Sequence, residues 1–178
     1  GKIAYIGKQG VLCLLSESSF SEHVGHTSPN HKLVNFFKDT YNHVDGRVIV
    51  SVLPVHLHTV QEILDAAINM HRKVVIMGKK LQNIVTMATK NEYLNVAPGI
   101  IGDLSDLESD KAILLVCDDR AKPFQTVAKI AAGNDKFIHL RNTDTVVFAE
   151  PKYDAVEKVL VKLQDDLAMQ GVNSITIP

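Results

Sequence analysis

The chain has 178 residues, 46% of them hydrophobic and 22% charged, with a formal net charge of −1. That length suits one domain, and that apolar content builds a real core and excludes a disordered chain. The near-neutral balance excludes strong, autonomous nucleic-acid binding through bulk charge, so any such contact has to come from a local patch.

The elements alternate in type. An apolar run from Gly10 to Leu15 stops at Glu17, which is flanked by Ser16, Ser18 and Ser19. A first strand over Val11 to Ser16 therefore delivers Glu17 to the carboxyl end of a sheet, where open α/β folds keep their sites. Phe20 to Thr27 is a loop rich in Ser and His, and Ser28-Pro29 reads as an N-cap with proline at the first helical position. Leu33, Val34, Phe36, Phe37, Tyr41 and Val44 give that helix its apolar stripe, and Gly46 lies just past its end.

Arg47 to Val52 is a β-branched strand. Thr59 caps a helix whose apolar face is Val60, Ile63, Leu64, Ala67, Ile68 and His71. Lys73 to Met77 is a continuous apolar strand, and Gly78-Lys79-Lys80 turns the chain into a helix near Leu81 to Lys90. Asn95 to Asp110 reads as a soft loop, and Ala112 to Cys117 as a further buried strand. Pro123 begins a short helix ending near Gly133-Asn134, followed by short strands over Phe137 to Leu140 and Thr145 to Ala149. Tyr153 to Met169 is a long amphipathic helix stopped by Gly171, and Ser174 to Ile177 is the last strand. Strands apolar on both faces and separated by helices imply a three-layer α/β fold: a mainly parallel, doubly wound sheet with helices on both faces.

Cys13 and Cys117 both sit in apolar runs without a CxxC partner, which points to buried thiols in a reducing cytoplasm. Neither a signal peptide nor a run long enough to cross a bilayer is evident, so no membrane contact is expected.

Taken in order, these segments resemble the β-CASP domain of ribonuclease J, a metal-dependent RNase of the metallo-β-lactamase superfamily. Glu17-Ser18-Ser19 fits the family's motif A, an acidic strand end followed by Ser or Thr. Gly46-Arg47-Val48-Ile49-Val50 looks like its glycine-arginine strand, and Leu57-His58-Thr59-Val60-Gln61-Glu62 like its isoleucine-histidine-arginine helix start. Arg72 to Leu81 resembles the next strand and its basic turn, and Asp144 to Phe148 a later strand. The similarity covers almost the whole chain, so residues 1–178 read as a single β-CASP domain excised from a larger protein.

The resemblance implies one wall of an RNA channel, inactive alone, closing over the protein's own metallo-β-lactamase domain. The parent is then a zinc-dependent ribonuclease. That second domain carries an HxHxDH signature whose ligands converge on two zinc ions that activate the attacking water. This chain lacks the signature. After His56-Leu57-His58 the matching positions are Val60 and Gln61, which ligate nothing, so no metal or other cofactor is expected in this chain. Glu17 is then an interface residue beside the metal domain, while Ser18, Ser19, His58, Lys79 and Lys80 are the candidates for contact with RNA phosphate. Partners implied are RNA, the metal domain and further copies in a homo-oligomer.

Three turns depart from the family. Where it has threonine-glycine-serine-glutamine-glycine-glutamate, this chain has Cys117-Asp118-Asp119-Arg120-Ala121-Lys122, with local pairing expected between the acids and Arg120 or Lys122. Glu150 to Asp154 replaces a serine- and proline-rich loop, and His58-Thr59 replaces a histidine-arginine pair. These changes keep open a non-catalytic scaffold or oligomerisation domain of a divergent paralogue. A nucleotide- or flavin-binding α/β domain is a further alternative, against which stands the lack of a glycine-rich turn after the first strand.

Overall fold

A computed structural model of the chain describes residues 45–52, 56–118, 122–149 and 154–177. Glu17, Ser18, Ser19, Cys13 and the elements expected before Gly46 lie outside the described residues, as do Asp119, Arg120 and most of the turn at 150–153.

Among the described residues five strands and four α-helices alternate: β1 (Val48–Val52), α1 (Leu57–Asn69), β2 (Val74–Ile76), α2 (Lys79–Lys90), β3 (Ile113–Cys117), α3 (Gln125–Ala131), β4 (Thr145–Ala149), α4 (Asp154–Met169) and β5 (Asn173–Ile177). A 3-10 turn, Leu104–Glu108, precedes β3. All pairings are parallel, in the order β2-β3-β1-β4-β5. β1 is central, with Val50 opposite Leu115 on one side and Val147 on the other. β1, β2 and β3 are buried on both faces, as a parallel sheet sandwiched by helices requires, whereas the edge strand β5 is half-exposed.

Alternation along the strands divides the core in two. Val48, Val50, Val52, Ile113 and Leu115 face α1 and α2. Ile49, Leu114, Val116, Val146 and Phe148 face α3 and α4. Each long helix buries a stripe at helical spacing: Val60, Ile63, Leu64 and Ala67 in α1, then Leu81, Ile84, Val85 and Ala88 in α2. In α4 the stripe is Val156, Leu160, Leu163 and Leu167.

The amino-terminal pole is held by arginine. Buried Arg47 donates through Nε and Nη2 to the two carboxylate oxygens of buried Asp144, at 2.9 and 2.7 Å. Its remaining donors reach the Leu107 and His139 carbonyls at 3.0 and 2.8 Å. Arg72 donates to the Gly46 and Asp110 carbonyls, and Arg141 to the Glu108 carbonyl and the Asp110 carboxylate. Gly46 is needed for close approach, because a Cβ there would collide with the Thr143 carbonyl.

Several expected boundaries shift. Residues 137–140 form no strand. Asp135 accepts from the Phe137 and Ile138 amides, and Arg47 takes the His139 carbonyl, so the backbone groups a ladder would use are engaged elsewhere. Thr59 does not cap α1: the helix starts two residues earlier, with His56 at the N-cap position. His71 lies past the end of α1 at φ 56, and Ile68 is exposed. The stretch 95–110 is not bare loop. Asp103 and Asp106 form a capping box around the 3-10 turn, and Ile101 bridges Val74. No helix among the described residues is long and apolar enough to cross a membrane.

Candidate functional site

The carboxyl pole of the sheet carries the candidate groups. His58 does not end a strand, as the sequence suggested; it sits in the first turn of α1, half-buried. Its ring stacks on His56, with centroids 5.8 Å apart and planes at 25°. Among the described residues no group of three or more His, Cys, Asp or Glu side chains is placed to hold a metal. The described residues do not fit a zinc centre.

Lys79 and Lys80 open α2 rather than occupying a turn before it. Gly78 precedes them at φ 95, a backbone that L side chains rarely adopt, and it swings both lysines onto the rim above β2. His58 stands above β1. Because β3 lies between β1 and β2, about 10 Å of sheet separates the histidine from the lysine pair. The structure places these residues on one rim and does not bring them into one cluster.

A small cleft of about 100 Å³ opens between α2 and the connection from β3 to α3. Leu81, Ile84 and Cys117 form its floor; Lys80, Asp118, Lys122 and Gln125 line its sides. Helices α2 and α3 leave their adjacent strands toward opposite faces of the sheet, and crevices outside carboxyl strand ends form where connections diverge in this way. Cys117 is half-buried rather than fully enclosed.

Asp118 is committed to Thr126. One carboxylate oxygen accepts from the Thr126 hydroxyl at 2.6 Å and the other from its amide at 3.0 Å. It thereby caps α3 from outside the helix, and the expected pairing with Lys122 is not what it does. Phe124 takes the left-handed conformation at φ 58 while fully buried, edge-on to Phe148 at 5.2 Å. A bulky residue in that region is strained and persists only where packing holds it.

Sequence reasoning named Lys122 only as a pairing partner for the acids and missed Gln125 and Thr126. The one signal available was an Asp shortly before a helix start, and its spacing is wrong for a local cap. The described arginines, in contrast, are all consumed at the opposite pole, so among the described residues lysine and histidine are the basic groups at the carboxyl rim.

Residues 45–163 match the family model described as ribonuclease J, β-CASP domain. The chain is 29% identical over 177 residues to Ribonuclease J of a Synechocystis strain, covering 98% of this chain and 28% of that protein. It is 27% identical to Ribonuclease J2 of Bacillus subtilis, covering 98% of this chain and 32% of the relative. Against Ribonuclease J 2 of Staphylococcus aureus the figure is 23%, with the same coverage of 98% and 32%. The chain thus spans about a third of the length of the curated relatives it matches.

Proposed function

Because the chain belongs to the ribonuclease J β-CASP domain family, we propose that it forms one wall of the RNA channel in a ribonuclease J-like hydrolase. The observation that carries this is the family match through residues 45–163, whose carboxyl rim displays lysines while no metal cage exists among the described residues. Cleavage of phosphodiester bonds then falls to zinc held by a separate metallo-β-lactamase domain. This chain's part is to bind, orient and cover the strand, acting as one β-CASP domain in the cytoplasm and silent by itself. Lys79, Lys80 and His58 contact phosphates from the rim. Glu17, with Ser18 and Ser19, faces the metal domain at the junction.

The test uses the chain alone. Elemental analysis is expected to find no stoichiometric zinc, and labelled RNA is expected to remain intact in buffers containing zinc or manganese. Intrinsic cleavage, or an equivalent of tightly held zinc per chain, would overturn the assignment.

A second reading is a scaffold domain of a divergent paralogue that assembles with further copies of itself. It is favoured by Asp118, whose carboxylate occupies a turn that the resembling family builds from small residues, and two aspartates in sequence there repel phosphate. RNA affinity in the longer protein comparable to that of an intact family member, at matched salt, would count against it.

A further inference from the structure

Resting on the self-assembly reading for its occupant, we propose that the amino pole of the sheet is a docking face for a second copy of this chain, centred on Leu104 and Phe137. Because every strand pairing is parallel, the connections from helix to strand all return to this pole. Three of them raise an apolar side chain into solvent: Leu104 before β3, Phe137 before β4 and Met169 before β5, which are 46, 64 and 87% exposed. Phe137 and Met169 are the two most exposed large apolar side chains among the described residues. Strand spacing puts the three entries within about 15 Å of one another. The connections are also fastened together. Arg47 donates to the Leu107 and His139 carbonyls, Arg141 to the Glu108 carbonyl and the Asp110 carboxylate, and the Gln170 amide to the Ala131 carbonyl at 2.8 Å. Exposed apolar groups gathered at one end mark a contact surface, and a face already held rigid loses little freedom on docking.

Charge selects the occupant. The stretch from Asp103 to Asp110 holds four carboxylates, Asp103, Asp106, Glu108 and Asp110, and no base. Lys73 and Arg141 answer part of that charge, yet the Glu108 side chain stays 90% exposed. Beside Phe137 the sign reverses. Lys136 and, in the last turn of α3, Lys129 are exposed, while Asp135 turns one carboxylate oxygen to the Phe137 and Ile138 amides. The pole therefore has an acidic end at Leu104 and a basic end at Phe137, about 10 Å apart across β1. A two-fold axis lying in the face between them sets the acidic end of each copy on the basic end of the other. The same operation brings Leu104 onto Phe137 of the second copy, twice over. A nucleic-acid strand fits this face poorly, because the carboxylates repel its phosphates.

Sedimentation equilibrium of the full chain, from about 5 to about 500 µM in low-salt buffer, tests the face. The expected result is a reversible step from monomer to dimer that weakens as salt is added. Phe137→Ser should weaken it by about tenfold or more. Lys136→Glu and Glu108→Lys should each weaken it severalfold, because like charges then meet at both ends of the contact. An equimolar mixture of those two variants should regain the parent's affinity, since each supplies the charge the other lacks. All three side chains are exposed, so melting curves of the variants should overlay the parent. A chain that stays monomeric at the highest concentration overturns the face and the self-assembly reading together. A dimer that Phe137→Ser and the charge variants leave unchanged overturns the face alone and leaves self-assembly standing. A mixture no tighter than its components overturns the two-fold arrangement on which the face depends.

Discussion

Asp144→Ala is the most severe single change the described structure offers. It removes two of the four hydrogen bonds made by Arg47 and strips the Arg141 amide of its 2.8 Å acceptor. What remains is a guanidinium only 3% exposed, with no counter-ion in contact. Breaking one side of a buried ion pair costs about 3–5 kcal/mol, a large part of the roughly 5–15 kcal/mol that holds a domain folded. Arg47→Met should cost a similar amount, since it leaves the carboxylate buried and orphans the Leu107 and His139 carbonyls. The double variant Arg47→Met/Asp144→Leu removes both charges at once. Three backbone groups then lose partners, at about 1 kcal/mol or more each, so its total loss is near 3 kcal/mol and well below the sum of the singles. Urea unfolding followed by far-UV circular dichroism measures all of these, with unchanged m-values confirming a like-for-like comparison. Asp144→Asn, which keeps the size and one acceptor, provides a graded point if the alanine variant does not fold. Additive losses, or an Asp144→Ala chain within about 1 kcal/mol of the parent, would refute the view that this pair clamps the amino pole.

Other substitutions probe separate parts of the fold. Ser51 is fully buried in β1, and its hydroxyl finds no hydrogen-bond partner among the described residues, so Ser51→Ala should be neutral or stabilising by up to about 1 kcal/mol; a clear loss in chemical denaturation contradicts this. Asp118→Ala should cost about 1 kcal/mol through loss of the α3 cap, and Thr126→Val should remove little further stability from that background; equal and additive losses would mean that the two do not act together. Gly78→Ala places a Cβ in open space but at φ 95, so it should cost about 1–3 kcal/mol through backbone strain alone. Gly46→Ala should cost more than Gly78→Ala, because a collision with the Thr143 carbonyl is added. The reverse ranking in thermal melts would show that the backbone near residue 46 can yield.

Much of the architecture was legible in the chain itself. The β-branched run Thr145 to Ala149 appears as β4 with the expected bounds, and the stripe ending at Met169 appears as α4. Parallel pairing followed from strands apolar on both faces. The resemblance to the ribonuclease J β-CASP domain rested on ordered segments and survives comparison with the family. Phe137 to Leu140 was misread because Phe, Ile and Leu carry strand propensity. The groups that claim that backbone include Arg47, more than 90 positions away. His58, Lys79 and Lys80 follow strands as expected, but sit on helix starts rather than on strand ends or turns.

Short-range regularities fixed which segments fold into strands and helices and which faces turn inward, because a period of two or of 3.6 acts over neighbouring residues. Strand order and the seating of Asp118 on Thr126 emerged only in three dimensions. Each depends on where a crossover lands and on which distant backbone groups it leaves to be satisfied, and no local pattern encodes that outcome.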